Sequence, residues 1–243
     1  MQNYLERDFT VLSSAADTEG RMSVAALFDR CMDLAAEHGE HLGVGFRDMA
    51  KRGAFWVAVR TRIRIYEVPA LMDAVRAKTW PLLSGRVKCD RCYRLTREDT
   101  LLAEGRTEWA GQNVDTGMPL RNDAFGYPTE MEHLTEKTCP APFTRFKEQP
   151  QEENFLTTYT VGSRDIDIGH HMNNVAYVRA LMGTFSVAEL AAMDIEEVEI
   201  YYSAACLEGE ELKVYRRQDE EGWHFLVQKP GDITAVQMAV RLR

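Results

Sequence analysis

Apolar and polar residues recur along this chain in two successive runs of the same design. In the first, Tyr4 to Leu12 reads as an opening strand and Ser13 to Arg21 as a polar turn. Val24, Leu27, Phe28, Cys31, Leu34 and Ala35 then fall at helical spacing. That predicts an amphipathic helix stopping near Gly39, with Gly43 and Gly45 in the loop beyond. Phe55 to Tyr66 alternates, with Val57, Val59, Thr61, Ile63 and Ile65 on one face and Arg60, Arg62 and Arg64 on the other. Such alternation predicts a half-buried antiparallel strand with one wet face. Val75 to Trp80, Arg86 to Leu95 and Leu101 to Ala110 add three more strands, separated by turns at Leu83-Ser84-Gly85 and Glu98-Asp99-Thr100.

The second run repeats this order. Phe155 to Val161 reads as a strand, and a polar turn follows. Val175, Val178, Leu181, Met182, Phe185 and Ala188 then recur at helical spacing. Val198 to Tyr202, Leu212 to Arg217, Trp223 to Gln228 and Thr234 to Leu242 read as strands. Phe9-Thr10-Val11 matches Tyr159-Thr160-Val161, Asp17 matches Asp167, and Met22 matches Met172. A repeat of this size implies duplication of one folding unit, a long helix laid on an antiparallel sheet. The expected class is α+β, with a first domain over 1–121, a linker over 122–153 and a second domain over 154–243. Pro128, Pro140, Pro142 and Pro150 interrupt the linker, and its end, Lys147 to Glu153, is strongly polar.

Length and charge narrow the choices. The 243 residues suit one large domain or two of ordinary size. A net charge of −9 makes wholesale nucleic-acid binding an unsuitable role. The charge is uneven: Arg60 to Arg97 holds ten Lys or Arg against three acids, a local +7, whereas Glu189 to Glu221 holds eleven acids against three bases, a local −8. No apolar run approaches the roughly 20 residues that cross a bilayer. The opening residues Met1 to Asp8 lack a signal-peptide pattern, so the expected location is the cytoplasm, with no membrane partner. The five cysteines, Cys31, Cys89, Cys92, Cys139 and Cys206, are too few and too scattered for a disulfide framework. Cys89 and Cys92 lie three apart on a strand and so point to opposite faces, which argues against a redox or metal pair. No metal or cofactor is expected.

The chemistry is concentrated in Ser163-Arg164-Asp165-Ile166-Asp167-Ile168-Gly169-His170-His171-Met172-Asn173-Asn174-Val175-Ala176-Tyr177. This polar cluster lies on a turn feeding a helix N-terminus, where Asn173 or Asn174 can cap. A carboxylate four residues before an imidazole, beside the positive end of a helix, suits acyl transfer or hydrolysis. Asp, Asn and His are also common in turns and caps, so a purely structural cluster stays open on spacing alone. The first run carries Asp17-Thr18-Glu19-Gly20-Arg21-Met22-Ser23 at the matching place and has neither His nor the double Asn.

The cluster resembles the second-domain signature of the plant and bacterial fatty acyl–acyl carrier protein thioesterases, which reads roughly Asp-Leu-Asp-x-Asn-x-His-Val-Asn-Asn-x-x-Tyr. Asp165, Asp167, His171, Asn173, Asn174 and Tyr177 match it. Phe55-Trp56-Val57, Lys78-Thr79-Trp80 and Trp109…Asp115-Thr116…Pro119…Arg121 extend the likeness over nearly the whole chain. Two positions depart: the family Asn between the Asp and the His is Gly169, and the family Glu before Cys206 is Ala205.

The resemblance implies two tandem hotdog domains. The N-terminal one holds the acyl chain, and the C-terminal one cleaves thioesters of acyl carrier protein. Asp167 is then general base or nucleophile, His171 orients reactants or assists proton transfer, and backbone N–H groups near Asn173 and Asn174 face the carbonyl oxygen. Cys206 and His170 are secondary candidates, although a lone Cys after an apolar strand is more often buried and inert. Met22, Phe28, Met32 and Trp56 are candidate acyl-chain liners. Arg60, Arg62, Arg64, Lys78, Lys88 and Arg94 form a candidate surface for the acidic carrier. A homodimer is left open. Rival expectations are an acyl-CoA thioesterase, a hotdog hydratase or dehydratase acting on acyl thioesters, and a hotdog that only binds them.

Overall fold

The computed structural model describes residues 3–243. The chain divides into two compact units, one running to Ala141 and one from Pro142 to Arg243.

The first unit opens with β1 (Leu5–Thr10), then α1 (Val24–His41) and a short α2 (Phe46–Lys51). β2 (Ala54–Ile65), β3 (Ala74–Pro81), β4 (Lys88–Arg97) and β5 (Thr100–Asn113) complete it. All pairings are antiparallel, in the order β1-β3-β4-β5-β2. Ser23 caps α1, its hydroxyl accepting the Ala26 N–H at 3.2 Å, a bond of the kind that contributes about 1 kcal/mol. The expected apolar stripe, Leu27, Phe28, Cys31, Leu34 and Ala35, is the buried face of α1. The helix runs two residues beyond Gly39, which packs against the backbone of Val44 and Gly45. Gly43, at φ +69°, supplies the left-handed residue that ends it.

β2 departs from simple alternation. Its register against β5 slips between Ala58 and Arg60, so Val59 is an extra residue. The helix-facing set is therefore Ala54, Trp56 and Ala58, then Thr61, Ile63 and Ile65. Val57 belongs to the opposite face. Arg62, expected on a wet face, is only 5% exposed and donates to the Ala141 carbonyl at 3.1 Å.

The second unit repeats the topology with β6 (Phe155–Thr160), α3 (Asn174–Met182), α4 (Val187–Ala192), β7 (Ile195–Tyr202), β8 (Glu211–Asp219), β9 (Gly222–Lys229) and β10 (Ile233–Leu242). The antiparallel order β6-β8-β9-β10-β7 is that of the first unit, strand for strand. The single helix expected over Val175 to Ala188 is instead broken. Gly183 follows the last turn of α3, the Thr184 hydroxyl bonds back to the Leu181 carbonyl at 2.7 Å, and Ser186 with Glu189 forms a capping box that starts α4. The break drops Phe185 into the core, edge-on to Trp223 and Phe225 at 5.2 and 5.7 Å, with the Arg216 guanidinium over its ring.

The segment read as a linker packs as a strap. Its first part belongs to the first unit, and the stretch from Glu136 to Ala141 lies on the sheet face opposite α1. There the Trp80 indole donates to the Glu136 carbonyl, the Thr138 hydroxyl to the Gly105 carbonyl, and Arg62 and Arg106 both to the Ala141 carbonyl. Phe125 reaches the core because Gly111 has no side chain; a Cβ there would stand 2.4 Å from the Phe125 ring. The remainder belongs to the second unit. The fully buried Glu199 accepts the Thr144 N–H and hydroxyl at 2.6 and 3.0 Å, and Gln237 donates to the Glu148 carbonyl. No helix among the described residues is long and apolar enough to cross a membrane.

Candidate active site

Residues 165–174 form a tight loop between β6 and α3. The Asp167 N–H donates to the His171 carbonyl at 2.9 Å, and the His170 N–H to the Asp167 carbonyl at 3.0 Å. His170 takes the left-handed conformation, φ +60°, which a non-glycine residue adopts at a cost of about 1–2 kcal/mol. The loop is tied to the sheet through the Met172 N–H and the Cys206 carbonyl at 2.8 Å. Asp165 anchors its base, accepting the Tyr159 hydroxyl and the Gly162 N–H at 2.9 and 2.8 Å.

The Asp167 carboxylate is held by one oxygen. Its Oδ1 accepts the Gly169 N–H at 2.8 Å, whereas Oδ2 has no hydrogen bond to any described residue. A Cβ placed on residue 169 would lie 3.1 Å from Asp167 Oδ1 and 3.8 Å from His171 Nδ1. The carboxylate and the imidazole therefore flank one small space, which Gly169 leaves empty. Asn173 is the N-cap of α3, its side-chain oxygen accepting the Val175 N–H at 2.8 Å, and its carbonyl accepts the Ala176 N–H at 2.9 Å. The Asn174 N–H is left without an acceptor among the described residues, at the positive end of the helix. Tyr202 fixes that position by donating its hydroxyl to the Asn174 carbonyl at 3.1 Å.

The first unit builds the same loop with different chemistry. Asp17 N–H to Arg21 carbonyl, Gly20 N–H to Asp17 carbonyl, Met22 N–H to Pro69 carbonyl and Ser23 N–H to Ala15 carbonyl reproduce the second unit's bonds one for one. Gly20, at φ +69°, stands where His170 does. Both Asp17 oxygens are occupied: Oδ1 accepts the Glu19 and Arg21 N–H groups, and Oδ2 faces Arg21 Nε at 3.2 Å.

A model of the acyl-ACP thioesterase N-terminal domain matches residues 2–122, and one of the C-terminal domain matches residues 148–238. The chain belongs to the acyl-ACP thioesterase family. An oleoyl-acyl carrier protein thioesterase of Coriandrum sativum is 22% identical over 211 residues, 76% of this chain and 54% of the relative. The chain thus spans about half the length of the curated relatives it matches. Two solved structures share the tandem hotdog fold over 98% of their own chains. An acyl-ACP thioesterase from Bacteroides thetaiotaomicron has a TM-score of 0.83 at 22% identity over 99% of this chain. The 12:0-ACP thioesterase from Umbellularia californica has a TM-score of 0.86 at 17% identity over the whole of it.

The remaining candidates of this family member fall into three groups. Cys206 is fully buried, and burial foremost pushes its thiol up, so it is a poor source of thiolate; what it gives the loop is its carbonyl. The exposed His170 lies at the loop tip. Among the proposed liners, Met22 and Phe28 are buried, Met32 is half-buried, and Trp56 packs edge-on to Phe125 while its indole donates to the Val44 carbonyl at 2.8 Å.

The proposed docking cations are largely engaged. Lys78 lies over the Tyr4 ring and 3.5 Å from Glu6, Lys88 pairs with Glu108 at 2.8 Å, and Arg94 pairs with Glu136 at 2.6 Å. Arg62 is buried, Arg60 is half-buried, and Arg64 is exposed beside the Tyr66 ring. Cys89 and Cys92 are both buried and free. Among the described residues no group of three or more His, Cys, Asp and Glu is placed to hold a metal ion. Sequence reading passed over the hydroxyls of Tyr159 and Tyr202. An aromatic match with Phe9 marked the former; nothing local marked the latter.

Proposed function

We propose that this chain hydrolyses fatty acyl–acyl carrier protein thioesters to a free fatty acid and the carrier thiol, the second unit performing the chemistry and the first holding the acyl chain. The carrying observation is the loop around Gly169. It presents an Asp167 oxygen without a hydrogen bond to any described residue and an imidazole across one empty space, on the loop that leads into the start of α3. Family membership supports the reaction class.

In this reading water enters the space beside Asp167 and gives its proton to the free carboxylate oxygen as it attacks the thioester carbonyl carbon. The Asn174 N–H faces the carbonyl oxygen as it gains negative charge. When the carbon–sulfur bond breaks, the leaving thiolate takes a proton, and His171 assists that transfer. Water is the only co-reactant, and the products are a carboxylic acid and a thiol. Asp165, Tyr159, Asn173 and Tyr202 position the loop and the helix start.

The test is thiol release from a panel of acyl carrier protein thioesters of different chain length, with Asp167→Ala and His171→Ala alongside. Each substitution lowers turnover by about 100-fold or more while the fold is retained. Unchanged turnover in both rejects the site. Carrier docking is assigned to the exposed members of the cationic face, Arg64 and Lys88. Reversing both charges raises KM several-fold for carrier-bound substrate but not for a small thioester; equal effects on the two substrates reject docking there.

A further inference from the structure

Arg91 stands in the middle of β4 on the face that α1 covers, opposite Thr107 on β5 and Pro81 on β3. It is 8% exposed, and a guanidinium does not lose its proton in a protein. A full positive charge thus lies between helix and sheet, in the interior that the reading above gives to the acyl chain. Its hydrogen-bond partners among the described residues are His38 Nδ1 at 2.9 Å and Thr79 Oγ1 at 3.4 Å. Neither is an acid. Because Arg91 only donates, His38 Nδ1 accepts, and the fully buried imidazole is no counter-ion.

The surrounding polar groups deepen the imbalance. The Tyr93 hydroxyl is fully buried near Thr107 and Trp109 without hydrogen-bond geometry to either. Among the described residues the buried Trp109 indole N–H has no acceptor, and the buried Tyr127 hydroxyl beside Cys89 has no hydrogen-bond partner. The charge of Arg91 reaches Cys89, Tyr93 and Tyr127, in each case opposing the rise that burial imposes; the Cys89 thiol is still pushed up to about 12. Trp56, Trp109, Tyr127 and Cys89 share one packed cluster, so these groups line one region. It holds several donors and one permanent cation, and none of the hydrogen-bond partners of Arg91 among the described residues is a carboxylate. Native interiors rarely leave donors and charges in that condition unless a ligand supplies the acceptor.

We infer that the N-terminal unit takes an acyl chain bearing its own oxygen acceptor, a carboxylate or a hydroxyl, which Arg91 binds. This rests on the reading that the first unit holds the acyl group. A plain hydrocarbon tail laid against Arg91 would leave the cation and its neighbouring donors unmatched. A carboxylate suits the guanidinium best, since it neutralises the charge and accepts two bonds.

Two measurements on the full chain test this. The first is kcat/KM for thiol release from chain-matched thioesters, one unsubstituted, one terminally hydroxylated and one terminally carboxylated. The expected result is a preference of about tenfold or more for an oxygenated chain. Arg91→Met removes that preference, and Arg91→Lys keeps part of it for the carboxylated chain. An equal or better rate on the unsubstituted chain, with the same ratio in either variant, overturns the inference and makes Arg91 structural.

The second measurement is calorimetric binding of the free acids, chain-matched mono- and dicarboxylates, which needs no turnover. Tighter binding of the dicarboxylate that Arg91→Met abolishes supports the inference even if no thioester is cleaved, an outcome that would reject the hydrolase reading alone. Equal binding of the two acids overturns the inference while leaving that reading intact.

Discussion

The loops at 17–23 and 167–173 share a backbone and differ in what their side chains leave free. Four main-chain bonds of one have their counterparts in the other, and the Leu71 N–H bond to the Gly20 carbonyl has none among the described residues. In the first, Arg21 folds onto Asp17 and occupies its remaining oxygen. In the second, His171 replaces the arginine, and one Asp167 oxygen stays without a hydrogen bond to any described residue. Duplication preserved the frame while the residue four places after the aspartate decided whether the carboxylate is committed or available.

The sharpest way to break this comparison is to make the same change in both loops. Asp167→Ala lowers thiol release by about 100-fold or more, whereas Asp17→Ala costs about 1 kcal/mol of stability and changes turnover less than twofold. Parallel losses of activity in both, measured beside denaturant unfolding, would show that the loops do not divide chemistry from structure.

A smaller effect tests the space between Asp167 and His171. Gly169→Ala adds a Cβ 3.1 Å from Asp167 Oδ1, so the carboxylate must shift by a few tenths of an ångström. Turnover falls by about tenfold with little change in melting temperature. An unaltered rate would mean that the space takes no part in the reaction.

Smaller again is the backbone contrast. Gly20→Ala forces a side chain into a left-handed position and costs about 1 kcal/mol, a fall of about 2–4 °C in melting temperature. His170→Gly relieves the same conformation and moves the melting temperature the other way by less, since glycine also loosens the unfolded chain. A fall in the second variant would show that the His170 side chain stabilises the loop.

The finest distinction is one of pH. Tyr159 donates to Asp165, whereas its counterpart Phe9 has no hydroxyl and carries the Arg30 guanidinium over its ring. Burial, then the Asp165 bond and charge, raises the Tyr159 hydroxyl from 10 to about 12. The folded chain therefore keeps a proton that the unfolded chain loses across that interval. The stability it adds is present below pH 10 and is lost as pH rises towards 12. Tyr159→Phe flattens the decline of stability between those values; an unchanged slope would remove Tyr159 as its source.

Local spacing made much of this legible. The stripe on α1 is visible because helical neighbours recur within four residues, and the loop at 167 because its chemistry is contiguous. The departures all need information from across the molecule. One added residue, Val59, is invisible to an alternating pattern, yet it changes which β2 side chains share a face before the bulge. Arg62 goes under cover only because the strap ends over it. Gly183-Thr184 looks like a tolerable pair inside a helix until Ser186 and Glu189 are seen to start another. Arg91 sits between two cysteines that draw attention to themselves, while its partner His38 lies 53 positions away. Buried ion chemistry of that kind has no signature in sequence spacing.

The strap leaves one further mark. Trp80, Arg62, Arg106 and Gln237 all seize peptide carbonyls of the crossing segment, at Glu136, Ala141 and Glu148. Those contacts read the path of the main chain and are indifferent to the side chains hung on it. Apart from positions whose side chains also bind, such as Glu136, Thr138 and Thr144, homologues can drift in letters there, but an insertion or deletion of one residue slides the carbonyls off their donors. Along this segment, ancestry is to be sought in gap placement more than in identity.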